Sequence, residues 1–165
     1  GVDPALVHHH FGTKEELFVA AHDFPISPAG LAAALTGTEG TLGERVARLY
    51  LTAAFTEGSA FQSLIGGALT NTTARDLFRQ FIERGVLDTI VPRLPVPDAR
   101  MRVLLAGSHL VGLFLMRRVL GLEPLRDADL DYLVAVVGPT IDHYLTGDLG
   151  SLAGPTATAA PPGDR

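Results

Sequence analysis

The first twenty residues constrain the fold most, because they carry the start and stop signals of two short, consecutive helices. Asp3 suits the N-cap of the first helix, since its carboxylate accepts hydrogen bonds from the free backbone N–H groups, and Pro4 suits the first helical position. Gly12 is placed to end that helix as a C′ glycine. Thr13 and Glu16 then have the spacing of a capping box for a second helix. Two helices joined in this way are typical of the second half of a helix-turn-helix.

This segment resembles the recognition helix and the following helix of TetR-family transcriptional regulators. Members of the family commonly carry a Gly-Val turn, a polar cap, an aromatic-His-His-Phe run and a Lys-Glu-Glu-Leu-Phe segment in that order. The residues that match are Gly1, Val2, Asp3, His9, His10, Phe11, Gly12, Lys14, Glu15, Glu16, Leu17 and Phe18. The chain departs at His8, where the family usually has tyrosine, and the two helices that come first in the family would precede Gly1.

The resemblance implies an all-α fold, a TetR-like helical bundle in which a partial helix-turn-helix is followed by a ligand-binding and dimerisation domain. Residues 1–22 are the expected remnant of the DNA-binding domain, with the recognition helix and the start of the linking helix. Residues 23–150 are the expected effector-binding and dimerisation domain. Residues 151–165 are rich in Pro, Ala, Thr and Gly, and this composition predicts a disordered tail.

Hydrophobic periodicity agrees with an all-helical chain, because apolar residues recur at helical spacing and no run alternates with period two. Asp98 is expected to cap a helix that is apolar all round and therefore buried on most faces. Asp127 or Asp129 is expected to open the last helix, Pro139 to kink it and Gly147 to end it. The predicted helices cover a short run to residue 35, Leu42–Phe55, residues 73–91, residues 98–120 and a last segment ending at residue 146.

Composition points to a homodimer without a membrane anchor. A hydrophobic fraction of 47% and a mean hydropathy of +0.26 are high for a soluble monomer and suggest apolar surface buried against a second chain. The net charge of -5 excludes most of the surface as a nucleic-acid interface, so DNA contact would be confined to the N-terminal segment. The uncharged stretch 103–116 is shorter than the roughly 20 residues that span a bilayer. No secretory signal is visible, which fits a cytoplasmic protein.

The resemblance implies that Asp3, Pro4, Ala5, His8, His9 and Lys14 contact double-stranded operator DNA. The N-terminal end of a recognition helix reads base edges in the major groove, and a small residue such as Ala5 can touch a thymine methyl. Lys14 would meet a phosphate at the N-terminus of the next helix. The alternatives are a solvated lysine beside its two glutamates and histidines that are simply surface or core residues. Consecutive histidines point about 100° apart on a helix, so they cannot share one metal ion.

Two further sets of residues are candidates for effector binding and for dimerisation. A cavity for a small apolar or amphipathic molecule would be lined by phenylalanines with one polar anchor, although phenylalanines at helical spacing and a lone histidine are also ordinary core residues. The candidates for this cavity are Phe55, Phe61, Phe78, Phe81 and His109. The resemblance places the dimer interface on the last two long helices, where the candidates are Gly107, Gly112, Met116, Leu133, Val137 and Ile141.

The sequence gives little support to catalysis. It has no cysteine, no glycine-rich phosphate loop after a strand and no serine nucleophile elbow, and Ser108 and His109 are neighbours that cannot face each other on a helix. No metal or cofactor is expected. The resemblance instead implies a ligand-responsive regulator, a repressor released from its operator by a small molecule. The alternatives are a helical ligand-binding protein or enzyme that does not act on DNA, and a dimerisation module.

Overall fold

The computed structural model describes residues 26–56, 65–68 and 70–150, and their regular structure is entirely helical, as predicted. The expected recognition helix, the C-terminal tail and Phe61 lie outside the described residues. Two helical segments have π-type hydrogen bonds, Phe81–Leu87 and Leu115–Val119, and Val91–Arg93 is a 3-10 turn. The α-helices are α1 (Pro28–Thr36), α2 (Leu42–Phe55), α3 (Thr72–Gln80), α4 (Asp88–Ile90), α5 (Ala99–Phe114) and α6 (Leu130–Thr146).

Side-chain caps fix where the helices begin. The backbone N–H of Glu44 donates to Thr41 Oγ1 at 3.2 Å while the Thr41 N–H donates to Glu44 Oε2 at 2.9 Å, so α2 starts with a complete capping box. The Tyr132 N–H donates to Asp129 Oδ1 at 2.7 Å, which identifies Asp129 as the cap of α6. The predicted bounds of α2 are confirmed, and the choice between two aspartates at the start of α6 is resolved.

The start of α5 differs from the prediction. Asp98 lies at the N-cap position but has φ 56°, in the left-handed region, and its side chain makes no capping hydrogen bond. The expectation that α5 is buried on most faces is also wrong, because Met101 and Leu104 are 50% and 41% exposed. One face of α5 packs into the core through Val103, Ala106, Leu110 and Leu113, and the opposite face is covered by none of the described residues.

The closest approach in the core is the crossing of α2 over α6. A Cβ added to Gly43 would lie 2.2 Å from the backbone N of Asp142 and 2.2 Å from the carbonyl O of Gly138. A Cβ on Gly138 would in turn lie 2.5 Å from Cγ of Glu44. The Gly43 N–H donates to Asp142 Oδ1 at 2.9 Å, so a carboxylate of α6 satisfies a free N–H in the first turn of α2. Around this crossing the core contains Ala47, Leu51, Ala54, Leu133, Ile141 and Leu145.

A buried arginine ties the start of α5 to the end of α6. Arg102 is 5% exposed, and its guanidinium donates to three backbone carbonyls: Pro97 at 2.9 Å, Tyr144 at 3.1 Å and Gly147 at 2.7 Å. Two of these oxygens belong to the C-terminal end of α6, where the helix dipole favours positive charge. The charge is therefore compensated by carbonyls rather than by a carboxylate.

The helical run Ala99–Val119 has 21 residues and is long and apolar enough to cross a membrane by length and composition. The length considered in the sequence analysis was that of the uncharged residues 103–116 alone, whereas this helix also includes arginines near both ends. About one third of the run is buried, because its inner face packs against α6 and α2 while its outer face is exposed.

Candidate functional site: the phenylalanine helix and the outer face of α5 and α6

Residues 72–93 form one helical stretch in which the hydrogen-bond register changes three times. α3 is followed by the π segment Phe81–Leu87, then by α4 and the 3-10 turn. The N–H of Asp88 donates to the carbonyl of Glu83, the five-residue spacing of a π-helix. Backbone dihedrals stay right-handed helical through the junctions, with φ -61° and ψ -40° at Gln80 and φ -65° and ψ -47° at Leu87. The register changes without breaking the helix.

Two of the predicted cavity residues meet on this stretch. The rings of Phe78 and Phe81 are stacked, with centroids 6.5 Å apart and planes 19° apart, and both rings pack against the core. The ring of Phe81 also lies over Gly85, where a Cβ would be 3.1 Å from its Cδ2 atom. The structure thus brings these two phenylalanines together at the π segment.

Phe55 has a different environment at the end of α2. The guanidinium carbon of Arg117 lies 4.5 Å from its ring centroid, a cation–π contact, and Arg118 Nη2 donates to its carbonyl at 3.2 Å. Arg117 also donates to the carbonyl of Leu125. Burial, followed by the neighbouring Arg118, lowers the pKa of Arg117. These contacts join the C-terminal end of α2 to the end of α5 and to the loop that follows it.

His109 lies in the contact between α5 and α6. Its ring meets the ring of Tyr144 edge to face, with centroids 6.1 Å apart. This placement favours the alternative that His109 is a partly buried histidine packed between two helices. Its role as a polar anchor for an effector stays a prediction. Tyr50 on α2 is 8% exposed, and burial raises the pKa of its hydroxyl. It is a neutral polar group in the core that sequence reasoning did not select.

A polar groove of about 620 Å³ lies beside α2 and the first turns of α6. Arg45, which lines the groove, donates to the carbonyls of Ala34 at 2.7 Å and Gly40 at 2.7 Å. Arg48, also in the lining, forms an ion pair with Asp131 at 2.6 Å. Sequence reasoning did not predict this groove, because it forms only where residues 37–48 meet residues 131–135, which are distant in the chain. Its lining residues are Gly37, Thr38, Glu39, Gly40, Glu44, Arg45, Arg48, Asp131, Val134 and Ala135.

The outer faces of α5 and α6 carry exposed apolar side chains. Met101, Leu104 and Met116 are 41–50% exposed along α5 and its π extension, and Tyr132 and Val136 are 59% and 54% exposed on α6. A Cβ added to Gly107 or Gly112 would meet nothing within 4 Å, so both glycines face open space. Large apolar side chains exposed on neighbouring helices are candidates for an interaction surface.

The predicted interface residues of α6 do not lie on this exposed outer face. Leu133, Val137 and Ile141 are 2%, 6% and 0% exposed, because they face the core of their own chain. They have little surface left to offer a second chain, so the exposed side chains of Tyr132 and Val136 are the better α6 candidates. The predicted DNA contacts Asp3, Pro4, Ala5, His8, His9 and Lys14 lie outside the described residues.

No group of three or more histidine, aspartate or glutamate side chains is placed to hold a metal ion among the residues that the structure describes. The charged loop before α6 instead contains ion pairs. Arg126 contacts both Glu123 and Asp127, and its hydrogen bond holds the pKa of the Asp127 carboxyl below its usual range. These groups are exposed and organise the loop.

Comparison with known proteins relates the chain to one family of regulators. The family model described as "Tetracyclin repressor-like, C-terminal domain" matches residues 40–145, which is more than half of the chain. A crystal structure of a TetR-family regulator from Streptomyces coelicolor A3 is 29% identical, with a TM-score of 0.53, and the match covers 88% of this chain and 77% of that one. No curated protein matches the chain.

Proposed function

The chain belongs to the TetR family of transcriptional regulators, and we propose that it is a homodimeric repressor that a small molecule releases from its operator DNA. The family match over residues 40–145 carries this proposal, because it covers helices α2 to α6 almost completely. Regulators of this family are generally non-enzymatic. The proposal places the protein in the cytoplasm with its operator.

The exposed apolar face of α5 and α6 supports the homodimer. Two copies that pack these faces together would form a four-helix bundle and remove side chains such as Leu104 and Val136 from water. Gly107 and Gly112 would let the helices approach closely, since neither carries a side chain and both face open space. Burial of apolar surface contributes about 25 cal/mol per Å².

The effector is proposed to be apolar or amphipathic. The stacked rings of Phe78 and Phe81 and the ring of Phe55 are large apolar surfaces next to the core, and the last of these is covered by a guanidinium. Ligand pockets usually combine such apolar walls with a few fixed polar groups. Tyr50 and His109 are the polar candidates on α2 and α5.

Signal transmission from this region to the DNA-binding segment is proposed to pass through α1. This helix packs against both the π segment and α4, and it is the first described helix after the N-terminal segment. A dimer must hold its two recognition helices about 34 Å apart to read successive major grooves. A small displacement of α1 on ligand binding is therefore enough to weaken operator binding.

The proposal is tested with a protein that carries a complete helix-turn-helix. Binding to a duplex from its own promoter is compared with binding to random duplex at physiological salt, by fluorescence anisotropy. We expect preference for the promoter, and the Lys14→Ala variant should bind all duplexes more weakly with a salt dependence flatter by about one unit of slope. Absence of any preference would leave a helical ligand-binding protein that does not act on DNA.

A further inference from the structure

The π segment Phe81–Leu87 separates two parts of the same helix that are anchored differently. The downstream end is fixed in the core, because Leu87 at the end of the π segment and Ile90 in α4 are 1% and 3% exposed. Upstream, α3 carries exposed polar side chains such as Arg75 and Asp76, and its phenylalanine Phe78 is only partly buried. A change of register in the π segment would therefore move the upstream part and leave the downstream part in place.

The size of that movement follows from helix geometry. A π turn accommodates one residue more than the same turn in α register, and each residue of an α-helix turns the chain by about 100° and advances it by about 1.5 Å. Conversion of the segment to α register would rotate Phe78 by about this angle relative to Ile90. The ring stack of Phe78 and Phe81, which now packs against the core, would swing away from it and open apolar space.

Contacts of the segment connect this movement to the rest of the molecule. The π segment packs against α1, which leads back towards the N-terminal segment. It is also tied to the first turn of α5 by the ion pair between Glu83 and Arg100, at 2.5 Å. Because the ion pair is exposed, it is weak and does not lock the register. Gly85 removes a steric barrier to ring movement, since the turn beneath Phe81 carries no side chain.

We propose that the π segment is a register switch, in which the π register supports operator binding and an apolar effector favours the α register by occupying the space that Phe78 and Phe81 leave. This inference rests on the proposed function and adds its regulation. A ligand shifts such an equilibrium by binding one of the two states better. The rotation also withdraws side chains that support α1, and the spacing of the recognition helices changes with it.

Gly85→Ala tests the switch at unchanged length, because a Cβ at this position would lie 3.1 Å from the ring of Phe81 in the π register, and alanine favours the α-helix. In the protein with a complete helix-turn-helix, the variant should melt within about 3 °C of wild type. It should bind promoter duplex at least about tenfold more weakly, the size of a typical allosteric coupling. The fluorescence of 1-anilinonaphthalene-8-sulfonate should rise, because this probe reports newly accessible apolar space. Deletion of Gly85 is the matched comparison, because removal of one residue from a π turn gives the α register without rotating Phe78 relative to Ile90, so this variant should keep wild-type promoter affinity and wild-type probe fluorescence.

Deletion of Thr52 is the control for the deletion of Gly85. This exposed residue lies in regular α2, so its removal rotates Ala53 and Ala54 out of the core and should lower the melting temperature strongly. A Gly85 deletion that is as unstable as the Thr52 deletion, or a Gly85→Ala variant that is stable with wild-type probe fluorescence and wild-type promoter affinity, would overturn the switch. A rise in probe fluorescence in a protein that never prefers its promoter would instead refute the proposed function and leave the register change standing.

Discussion

Two pairs of glycines have opposite surroundings in this bundle. Gly43 and Gly138 lie where α2 crosses α6, and a Cβ on either would collide with the opposite helix at 2.2–2.5 Å. Gly107 and Gly112 lie on α5, where a Cβ would meet nothing within 4 Å. The first pair closes a contact within the chain, whereas the second pair faces space that none of the described residues fills. A glycine in a helix therefore indicates close packing only where a neighbouring helix is known to lie against it.

Gly43→Ala should have the largest effect on folding. Its new Cβ meets backbone atoms of α6 that cannot move independently, so we expect a loss of about 3 kcal/mol or more in the free energy of unfolding. Urea denaturation followed by circular dichroism measures this loss. The matched control is Gly66→Ala in the helical residues 65–68, where a Cβ meets nothing within 4 Å and the helix gains up to about 1 kcal/mol. Equal effects of both variants would mean that the α2–α6 crossing is not tight.

Arg102→Met should cost about 2–4 kcal/mol in the free energy of unfolding, because it leaves three carbonyls without their donor in a buried site. Arg100→Met is the control on the same helix. Its guanidinium is exposed and forms an ion pair with Glu83. We therefore expect a loss of less than about 1 kcal/mol in the free energy of unfolding. Similar losses in thermal denaturation would show that the end of α6 does not depend on the buried arginine.

Gly112→Leu should weaken dimerisation rather than folding. A leucine fits in the open space of a single chain, but overpacking between two copies should cost about 1–3 kcal/mol of association. Analytical ultracentrifugation over a concentration series gives the dissociation constant. A variant that dimerises like wild type, with wild-type stability, would remove Gly112 from the interface and weaken the contrast between the two glycine pairs.

Asp142→Ala should have the smallest effect of these four, about 1 kcal/mol, the usual contribution of a helix cap. The change removes the acceptor of the Gly43 N–H but leaves the crossing itself intact. Asp131→Ala on the same helix provides the comparison, since its carboxylate is 80% exposed in a surface ion pair. A larger loss for Asp131 than for Asp142 in chemical denaturation would contradict the role of the cap.

Local signals made part of this structure predictable. The bounds of α2 were accessible because its capping box and apolar stripe depend on residues a few positions apart, whereas the start of α6 was narrowed only to Asp127 or Asp129. The left-handed Asp98 and the π segment were not, since both depend on how distant helices pack. In the site, the stacking of Phe78 on Phe81 follows from helical spacing. The contact of His109 with Tyr144 and the three bonds of Arg102 require the fold, although an arginine one turn into an apolar helix was a signal for the latter.

The hydrogen bonds from Arg102 to the end of α6 affect the local unfolding of this helix. The last turn of a helix normally frays, and its amides exchange with solvent at little cost in free energy. Here the carbonyls of Tyr144 and Gly147 are held by a side chain from α5, and the Gly147 N–H donates to the carbonyl of His143 at 2.9 Å. Fraying of α6 must therefore break contacts to a second helix. The amide of Gly147 is expected to exchange on the timescale of sub-global unfolding, with the protection of a core position although it ends a helix.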